Sequence, residues 1–363
     1  MMVTRTSTAS LRFGVMETSA AASGQDPAVA ARVPATMKDV ALLAGVSVPT
    51  VSRFLSGSAN VRADKRERVA AAIQELDFTP NASARVLVGG KPKVIAAVVG
   101  NTSRYGYAET IRGLEEAARA DGYVVTFTVI EEADEESLTT GISLVLSQAI
   151  AGVAVLKFDP PGVAAIKRIP DWMPVVALSG VRDTSYAQAV IRESVAARHL
   201  VEHLLGLGHE TVHHVRIPPS RREDGRTAGW RRALKDAGRE VPELFEASWD
   251  PQSGRGVGHV IAERDDVTAV FCGNDEIAMG VMAGLRDKGL RVPEDVSVVG
   301  FDDHPLSSLW HPALTTARQE FADMGRSGWE LLKKQIHGAK ERPLVSTTPD
   351  VIIRESTAPP RTN

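Results

Sequence analysis

The chain has 363 residues, 43% of them hydrophobic, which is enough for one small domain and one large two-lobed domain. Its single cysteine, Cys272, excludes an intramolecular disulfide and a cysteine-rich zinc site. No apolar run approaches the roughly 18–20 residues that span a bilayer. Residues 36–92 hold eight Lys and Arg against five Asp and Glu, although the whole chain carries a net charge of −3. A basic segment on an acidic body favours contact with nucleic acid at one end.

Residues 1–35 are rich in Ala, Ser and Thr and lack the continuous apolar block of a secretion signal. We predict a disordered leader here, with Met37 as an alternative start of translation. The protein is therefore expected in the cytoplasm.

Three short helices are predicted next. Thr36 and Asp39 have the spacing of a capping box, and the helix that they begin is broken at Gly45. Ser47 is a second N-cap, and its helix is predicted to run to Gly57. A third helix covers about residues 63–76. Two helices joined by a glycine-containing turn, with a third packed across them, indicate an all-α helix-turn-helix domain over residues 36–80.

From residue 94 the pattern changes to apolar strands that alternate with helices. Strands are predicted at residues 94–99, 123–130, 153–156, 175–178, 212–215, 269–272 and 296–301. This alternation predicts an α/β core of doubly wound parallel sheets over residues 93–357, followed by a tail at 358–363. We expect two lobes, the first about 93–190 and 319–340, the second about 191–318. In such folds ligands bind beyond the carboxyl ends of the strands.

The second helix supplies the candidate DNA-reading side chains. Val46, Val51 and Phe54 are predicted to face the small core. The remaining side chains are then available to the major groove: Val48, Pro49, Thr50, Ser52 and Arg53. Arg53 has the geometry for a bidentate contact with guanine, and a plain phosphate contact is the alternative.

Residues 38–53, together with 78–81 and 84–87, closely resemble the opening of LacI/GalR regulators. The resemblance implies that Val48, Pro49 and Arg53 read bases and that Thr50, Ser52 and Asn81 position the phosphates. Residues 81–92 correspond to the family's hinge, in which Arg85 is a further predicted DNA contact. The resemblance makes Leu87 the wedge that enters the minor groove, and packing of Leu87 on the core is the alternative.

The looser resemblance of the remaining chain implies a periplasmic-binding-protein-like core that senses a small-molecule effector. The family's effector contacts match Arg198, Trp230, Asn274, Asp302 and Phe321. Five more residues fall near such positions, namely Tyr105, Tyr107, Ser179, Ser194 and Gln319, and of these Tyr105 and Ser179 are predicted as effector contacts. Helix packing is the alternative for Trp230, and a turn or helix cap for Asp302; Asp275 is predicted to cap the next helix.

The pocket rim departs from the family pattern at Arg104, Arg192 and Glu193. These charges leave an acidic or phosphorylated effector open beside a neutral sugar. A carbohydrate or sugar derivative remains the expected effector.

Two other classes of protein fit less well. An enzyme is disfavoured because the chain has no nucleophile elbow, phosphate loop or convincing metal-ligand spacing. A secreted solute-binding protein would need an export signal and would lack residues 37–90. The sequence predicts a homodimeric repressor of a pseudo-palindromic operator, with no cofactor, no metal and no membrane partner.

Overall fold

The computed structural model describes residues 35–55, 60–78, 92–220 and 222–361, and the chain divides into two compact units between residues 80 and 81. The predicted contacts Asn81, Arg85 and Leu87 lie outside the described residues, as does the leader up to residue 34.

The described part of the N-terminal unit contains three helices: α1 (Met37–Leu43), α2 (Val48–Leu55) and α3 (Ala63–Glu75). The predicted capping box of α1 is present, with Thr36 and Asp39 bonded to each other's backbone. Gly45 adopts a φ of +60° in the turn to α2, a conformation that favours glycine. Val40, Val51 and Val69, one from each helix, form the centre of a small core. These contacts give the helix-turn-helix arrangement expected from the sequence.

Two sets of elements build the larger unit. The first runs from residue 94 to 191: β1 (Val94–Val99), α4 (Tyr105–Ala120), β2 (Val124–Val129), α5 (Glu135–Leu146), β3 (Gly152–Leu156), α6 (Pro160–Ala165), β4 (Val175–Ser179) and β5 (Ala187–Ile191). The second runs from residue 193 to 352: α7 (Glu193–Gly206), β6 (His213–Arg216), α8 (Gly225–Asp236), β7 (Phe245–Glu246), α9 (Pro251–Ile261), β8 (Ala269–Cys272), α10 (Asp275–Asp287), β9 (Ser297–Val299), β10 (Thr316–Arg318), α11 (Phe321–Ile336), β11 (Leu344–Thr347) and β12 (Asp350–Ile352).

Lobe 1 is a six-stranded parallel sheet in the order β11-β5-β4-β3-β1-β2. Its central strands are buried on both faces, as their unbroken Val, Ile and Ala runs require. One face packs against α4 and α11 around Leu114 and Trp329, and the other packs against α5 and α6 around Leu138 and Ile166.

Lobe 2 is a four-stranded parallel sheet in the order β7-β6-β8-β9. Helices α7 and α8 cover one face, with Trp230 and Phe271 at the centre of the contact. Helices α9 and α10 cover the other face around Val281 and Leu285. The two lobes therefore repeat one doubly wound plan, which places the carboxyl ends of both sheets toward a shared cleft.

The chain passes between the lobes three times: after β5, after β10 and between β11 and β12. Lobe 1 was predicted to end at about residue 340, whereas β11 extends its sheet to Thr347. The last residues return to lobe 2, where the backbone N–H of Val298 donates to the carbonyl of Ser356 at 2.9 Å. Ala358, which was predicted to belong to the tail, also donates its N–H to the Ser297 hydroxyl. Among the described helices, none has the length and apolarity needed to cross a membrane.

Candidate functional site

A cleft lies between the two lobes, at the carboxyl ends of the strands. It holds about 780 Å³ of space outside protein atoms, part of it open to solvent. Lobe 1 contributes residues that follow β1, β3 and β4, and lobe 2 contributes residues that follow β6, β8 and β9. The residues used below are Arg104, Tyr105, Tyr107, Lys157, Phe158, Ser179, Glu193, Asp224, Arg226, Trp249, Asn274, Glu276, Asp302, Gln319 and Phe321.

Aromatic rings form the apolar walls of the cleft. Phe321, at the start of α11, meets Tyr105 and Phe158 edge to face, with ring centroids 6.0 and 6.3 Å apart. On the lobe 2 side, Trp249 lies under the Arg104 guanidinium, 4.3 Å from its ring centroid. Such rings present flat apolar surface of the kind that covers the face of a sugar ring.

A buried cluster of charged and amide groups lies beside these rings. Arg226, in the first turn of α8, donates to Glu193 of α7 at 2.9 Å and lies 3.3 Å from Asp302. It also donates to the carbonyl of Gly273. Although burial of the guanidinium acts to lower it, the two carboxylates raise the pKa of Arg226 above its usual value. Arg226 therefore stays charged and fixes both acids in place.

Asp302 is held in an unusual conformation, with a φ of +116°, just after β9. Its Oδ1 accepts a hydrogen bond from Gln319 Nε2 at 2.6 Å. Burial raises the pKa of Asp302 to about 7, against the opposing effect of Arg226. Arg226 lies closer to Glu193, so the Asp302 carboxylate is the less completely neutralised of the two acids.

The lobe 1 side of the cleft has its own internal pairs. Lys157, buried after β3, donates to Asp183 at 2.7 Å. The Tyr107 hydroxyl donates to Asp159, whose other oxygen accepts from the N–H of Gly162. Each of the cations that line the cleft in the described chain therefore has a partner within the protein: carboxylates for Arg226 and Lys157, and an aromatic face for Arg104.

Five of the seven predicted effector contacts meet in this cleft: Tyr105, Ser179, Asn274, Asp302 and Phe321. Trp230 does not, and its prediction as an effector contact is wrong. Its ring is 0% exposed in the core of lobe 2, and its indole Nε1 donates to the carbonyl of Val212 at 2.7 Å. Helix packing, the alternative, is the role that the structure shows.

Arg198 is the second correction. It lies on the outer face of α7, where it pairs with Glu202 one turn later at 2.6 Å and with Asp236 of α8 at 3.2 Å. A side chain held on that face does not reach the cleft. The arginine that does so is Arg226, which the sequence analysis did not select.

Asn274 lines the cleft as expected and also takes the capping role that was predicted for Asp275. Asn274 is the N-cap of α10, with its side-chain oxygen accepting from the N–H of Ile277, and it also lines the cleft. Asp275, predicted as that cap, is completely buried instead. It accepts hydrogen bonds from the His304 N–H and the hydroxyls of Ser307 and Thr316. Asp275 thus ties together the loops that follow β9.

Lys157 and Trp249 also line the cleft but were not predicted from the sequence, whereas Gln319 was expected near an effector-contact position and does line it. Trp249 follows β7, a strand of two residues that leaves no periodic signal, and Lys157 directly follows a buried strand. Position at the end of an apolar strand was therefore an available signal for Lys157.

On α2, the candidate DNA-reading residues share one helix but differ in exposure. Pro49 and Arg53 are exposed, whereas Thr50 and Ser52 are half-buried. Val48 is half-buried and packs partly against the small core, so only part of its side chain faces outward. The Ser47 and Thr50 hydroxyls lie 2.9 Å apart in the first turn. Val51 is buried and Phe54 packs against the core, as predicted.

A helix-turn-helix unit joined to a two-lobed sensing core defines a class of transcription regulator, and comparison with known proteins agrees. Residues 36–81 match the bacterial regulatory proteins of the lacI family, and residues 201–357 match the periplasmic binding protein-like domain. The chain is 30% identical to catabolite control protein A of Priestia megaterium, over 83% of this chain and 92% of that protein. It is also 30% identical to the transcriptional repressor PurR of Mannheimia succiniciproducens, over 89% of this chain and 98% of that protein.

The solved structures that it resembles include a Lac repressor dimer bound to operator and an anti-inducer, at a TM-score of 0.82 and 28% identity, covering 90% of this chain and all of the other. Another is the regulator CelR in complex with cellobiose, at a TM-score of 0.67 and 27% identity, covering 89% of this chain and 99% of the other. This chain belongs to the LacI family. It is a DNA-binding transcription regulator whose core binds an effector.

Proposed function

We propose that this protein is a homodimeric repressor whose operator affinity is set by a neutral, polyhydroxylated effector, such as a mono- or disaccharide, bound in the cleft between the lobes. The observation that carries the choice of effector is the pairing of the cleft's cations. An anionic effector needs an available cation. Arg226 and Lys157 already hold carboxylates, and the remaining cation of the described lining, Arg104, stacks on Trp249 in a cleft that four acids also line. Fixed carboxylates and amides beside aromatic walls suit hydroxyl groups on a ring. This weighs against the acidic or phosphorylated effector left open by the sequence.

The DNA-binding part of the proposal rests on α2. The exposed Arg53 and Pro49 are assigned to base edges, and Thr50 and Ser52 to phosphates, with Asn81, Arg85 and Leu87 contributing from the hinge. A dimer would place two copies of α2 on one palindrome. Effector bound to both lobes favours one relative arrangement of them, and so biases operator affinity.

The proposal includes no catalytic step, cofactor or metal, and places the protein with its DNA in the cytoplasm. The relatives compared above support the absence of a catalytic step, since they are named as a catabolite control protein, two repressors and a transcriptional regulator. Their named ligands, which include cellobiose, support a saccharide effector.

Thermal unfolding of the full chain, measured against panels of neutral sugars, polyols and sugar phosphates, tests the effector class. We expect a neutral saccharide to raise Tm, because a ligand that binds only the folded state stabilises it. Stabilisation by sugar phosphates alone would overturn the proposal. Operators are then selected from random duplex DNA with the same protein, and binding with and without the stabilising saccharide gives the direction of control.

A further inference from the structure

Three residues of lobe 2 connect the hydrophobic core to the cleft by hydrogen bonds. His214, on β6, is completely buried and stacks on Phe271 with ring centroids 4.7 Å apart. Its Nε2 lies 3.1 Å from the Thr227 hydroxyl, which lies 3.0 Å from Asp224 Oδ2. Asp224 is half-buried and lines the cleft. Its Oδ1 caps α8 by accepting from the Thr227 N–H at 2.8 Å.

This chain of groups has one hydrogen-bond donor fewer than it has acceptors. His214 Nδ1 lies 2.9 Å from the carbonyl oxygen of Phe271, which only accepts, so the single proton of the neutral ring lies on Nδ1. Nε2 is then an acceptor. The Thr227 hydroxyl has one hydrogen, yet it lies between two acceptors, His214 Nε2 and the Asp224 carboxylate. It serves one of them at a time.

His214 is neutral in this environment. Burial lowers the pKa of His214 to about 4, so the ring does not supply the missing proton near neutral pH. The charged groups around it are Arg216 on its own strand and Asp224 and Arg226 on α8. Glu193 of α7 and Asp302 hold Arg226, and the two rings that pack on His214, Phe271 and Trp230, are apolar.

We propose that Asp224 is a specificity-determining residue of the cleft that requires a hydrogen-bond donor from the effector, and that His214 and Thr227 are the positioning groups that create this requirement. An effector hydroxyl that donates to Asp224 Oδ2 replaces the Thr227 hydroxyl there. Thr227 then donates to His214 Nε2, and every group in the chain is satisfied. No proton is taken up or released in this exchange. The inference rests on the proposed effector class and deepens it, since Asp224 selects ligands that carry a hydroxyl toward α8.

The substitution Asp224→Asn tests the proposal without a ligand. The asparagine oxygen keeps the cap, and its NH₂ group donates to Thr227, so Thr227 donates to His214 permanently. In full-length protein labelled with ¹⁵N-histidine, the Nε2 resonance of His214 should move upfield in this variant. Asp134→Asn is the matched control, because Asp134 caps α5 through the N–H of Ser137 and lies outside the cleft. An unchanged His214 resonance in Asp224→Asn overturns the proposal, as does a ring whose proton lies on Nε2 in the wild type.

A second arm uses the saccharide that stabilises the protein in the thermal panel. It should bind at least about 10-fold more weakly to Asp224→Asn than to the wild type, because a hydrogen bond to a charged acceptor is lost. Asp134→Asn should bind it normally. Equal affinity in all three proteins contradicts the role of Asp224 in specificity. If no saccharide stabilises the protein, the proposed effector class fails, and the ligand-free spectrum still decides whether the three groups behave as inferred.

Discussion

The Arg226 guanidinium lies 2.9 Å from the Glu193 carboxylate, so the first turns of α7 and α8 are joined by a mostly buried ion pair that lines the cleft. Because Arg226 also lies 3.3 Å from Asp302, this one side chain connects two helices to the loop after β9. The arrangement fixes the polar floor of the cleft before a ligand arrives, which lowers the cost of ordering it on binding.

Arg226→Lys should reduce affinity for the stabilising saccharide by about 10-fold or more, since lysine cannot reproduce the planar fork that holds both acids. Arg198→Lys is the control, because Arg198 pairs with Glu202 and Asp236 on the outer face of α7. Calorimetric titration of both variants measures the effect. A greater loss in Arg198→Lys would restore the assignment of Arg198 that the structure corrects.

The two tryptophans of lobe 2 should separate stability from binding. Trp230→Phe removes the hydrogen bond to the Val212 carbonyl and part of a buried ring, so the free energy of unfolding should fall by about 1–3 kcal/mol. Saccharide affinity should stay within about twofold. Trp249→Ala should instead lower saccharide affinity and leave the free energy of unfolding nearly unchanged. Urea unfolding and ligand titration on the same two proteins provide the comparison, and a binding defect confined to Trp230→Phe would refute it.

Asp302 should make stability depend on pH in a predictable direction. Its pKa is raised from 3.8 to about 7, so between these values the folded state holds a proton that the unfolded state has lost. The contribution of Asp302 to the free energy of unfolding should therefore fall as pH rises from about 4 to 7, by up to about 1.4 kcal/mol per pH unit. His214, with its lowered pKa, acts in the opposite direction below pH 6.5.

Comparison with Asp302→Asn isolates the effect, because asparagine tolerates a positive φ and does not titrate. Urea unfolding of both proteins at pH 5 and pH 7.5 gives the difference. The wild type should lose stability relative to the variant at the higher pH. A constant difference between the two would show that Asp302 titrates normally.

Arg53→Lys should weaken binding to the selected operator by about 10- to 100-fold while leaving non-specific DNA binding nearly unchanged. Lysine keeps the charge for a phosphate contact but loses the paired donors that match guanine. Binding assays on operator and scrambled duplex, at one salt concentration, separate the two. If the variant binds the operator as tightly as the wild type does, Arg53 contacts a phosphate.

Leu87→Ala should weaken operator binding with no change in saccharide affinity, because the wedge proposed for Leu87 would contact the DNA and not the effector. Val88→Ala, its neighbour in the hinge, controls for loss of apolar surface. Mobility-shift and calorimetric titrations give both affinities. Full operator affinity in Leu87→Ala would refute the wedge.

The sequence was most informative where a local signal was complete. Thr36 and Asp39 form their capping box within four residues, and the unbroken apolar run of Val94–Val99 marks a strand buried on both faces. Strands β5, β7, β10, β11 and β12 were not predicted. Each has only two to five residues, and what defines it is a partner strand far away in the chain.

The cleft was harder to predict because side-chain direction depends on packing. Arg198 and Arg226 are both helical arginines near Glu or Asp, and only the packing of α7 on α8 decides which one faces the ligand. Asn274 and Asp275 are adjacent, and the loop after β9 decides which of them is drawn inward. The sequence therefore indicated the correct strand ends, but it selected Arg198 in place of Arg226 and assigned the cap to Asp275 in place of Asn274.

The three passages of the chain between the lobes have a consequence for biosynthesis. Lobe 1 takes its last strand from residues 344–347, so its sheet stays one strand short until these residues have left the ribosome. Ser356, whose carbonyl accepts a hydrogen bond from Val298 of β9 in lobe 2, follows only a few residues later. Both lobes are thus completed almost together, and a shortened product of interrupted translation lacks part of each.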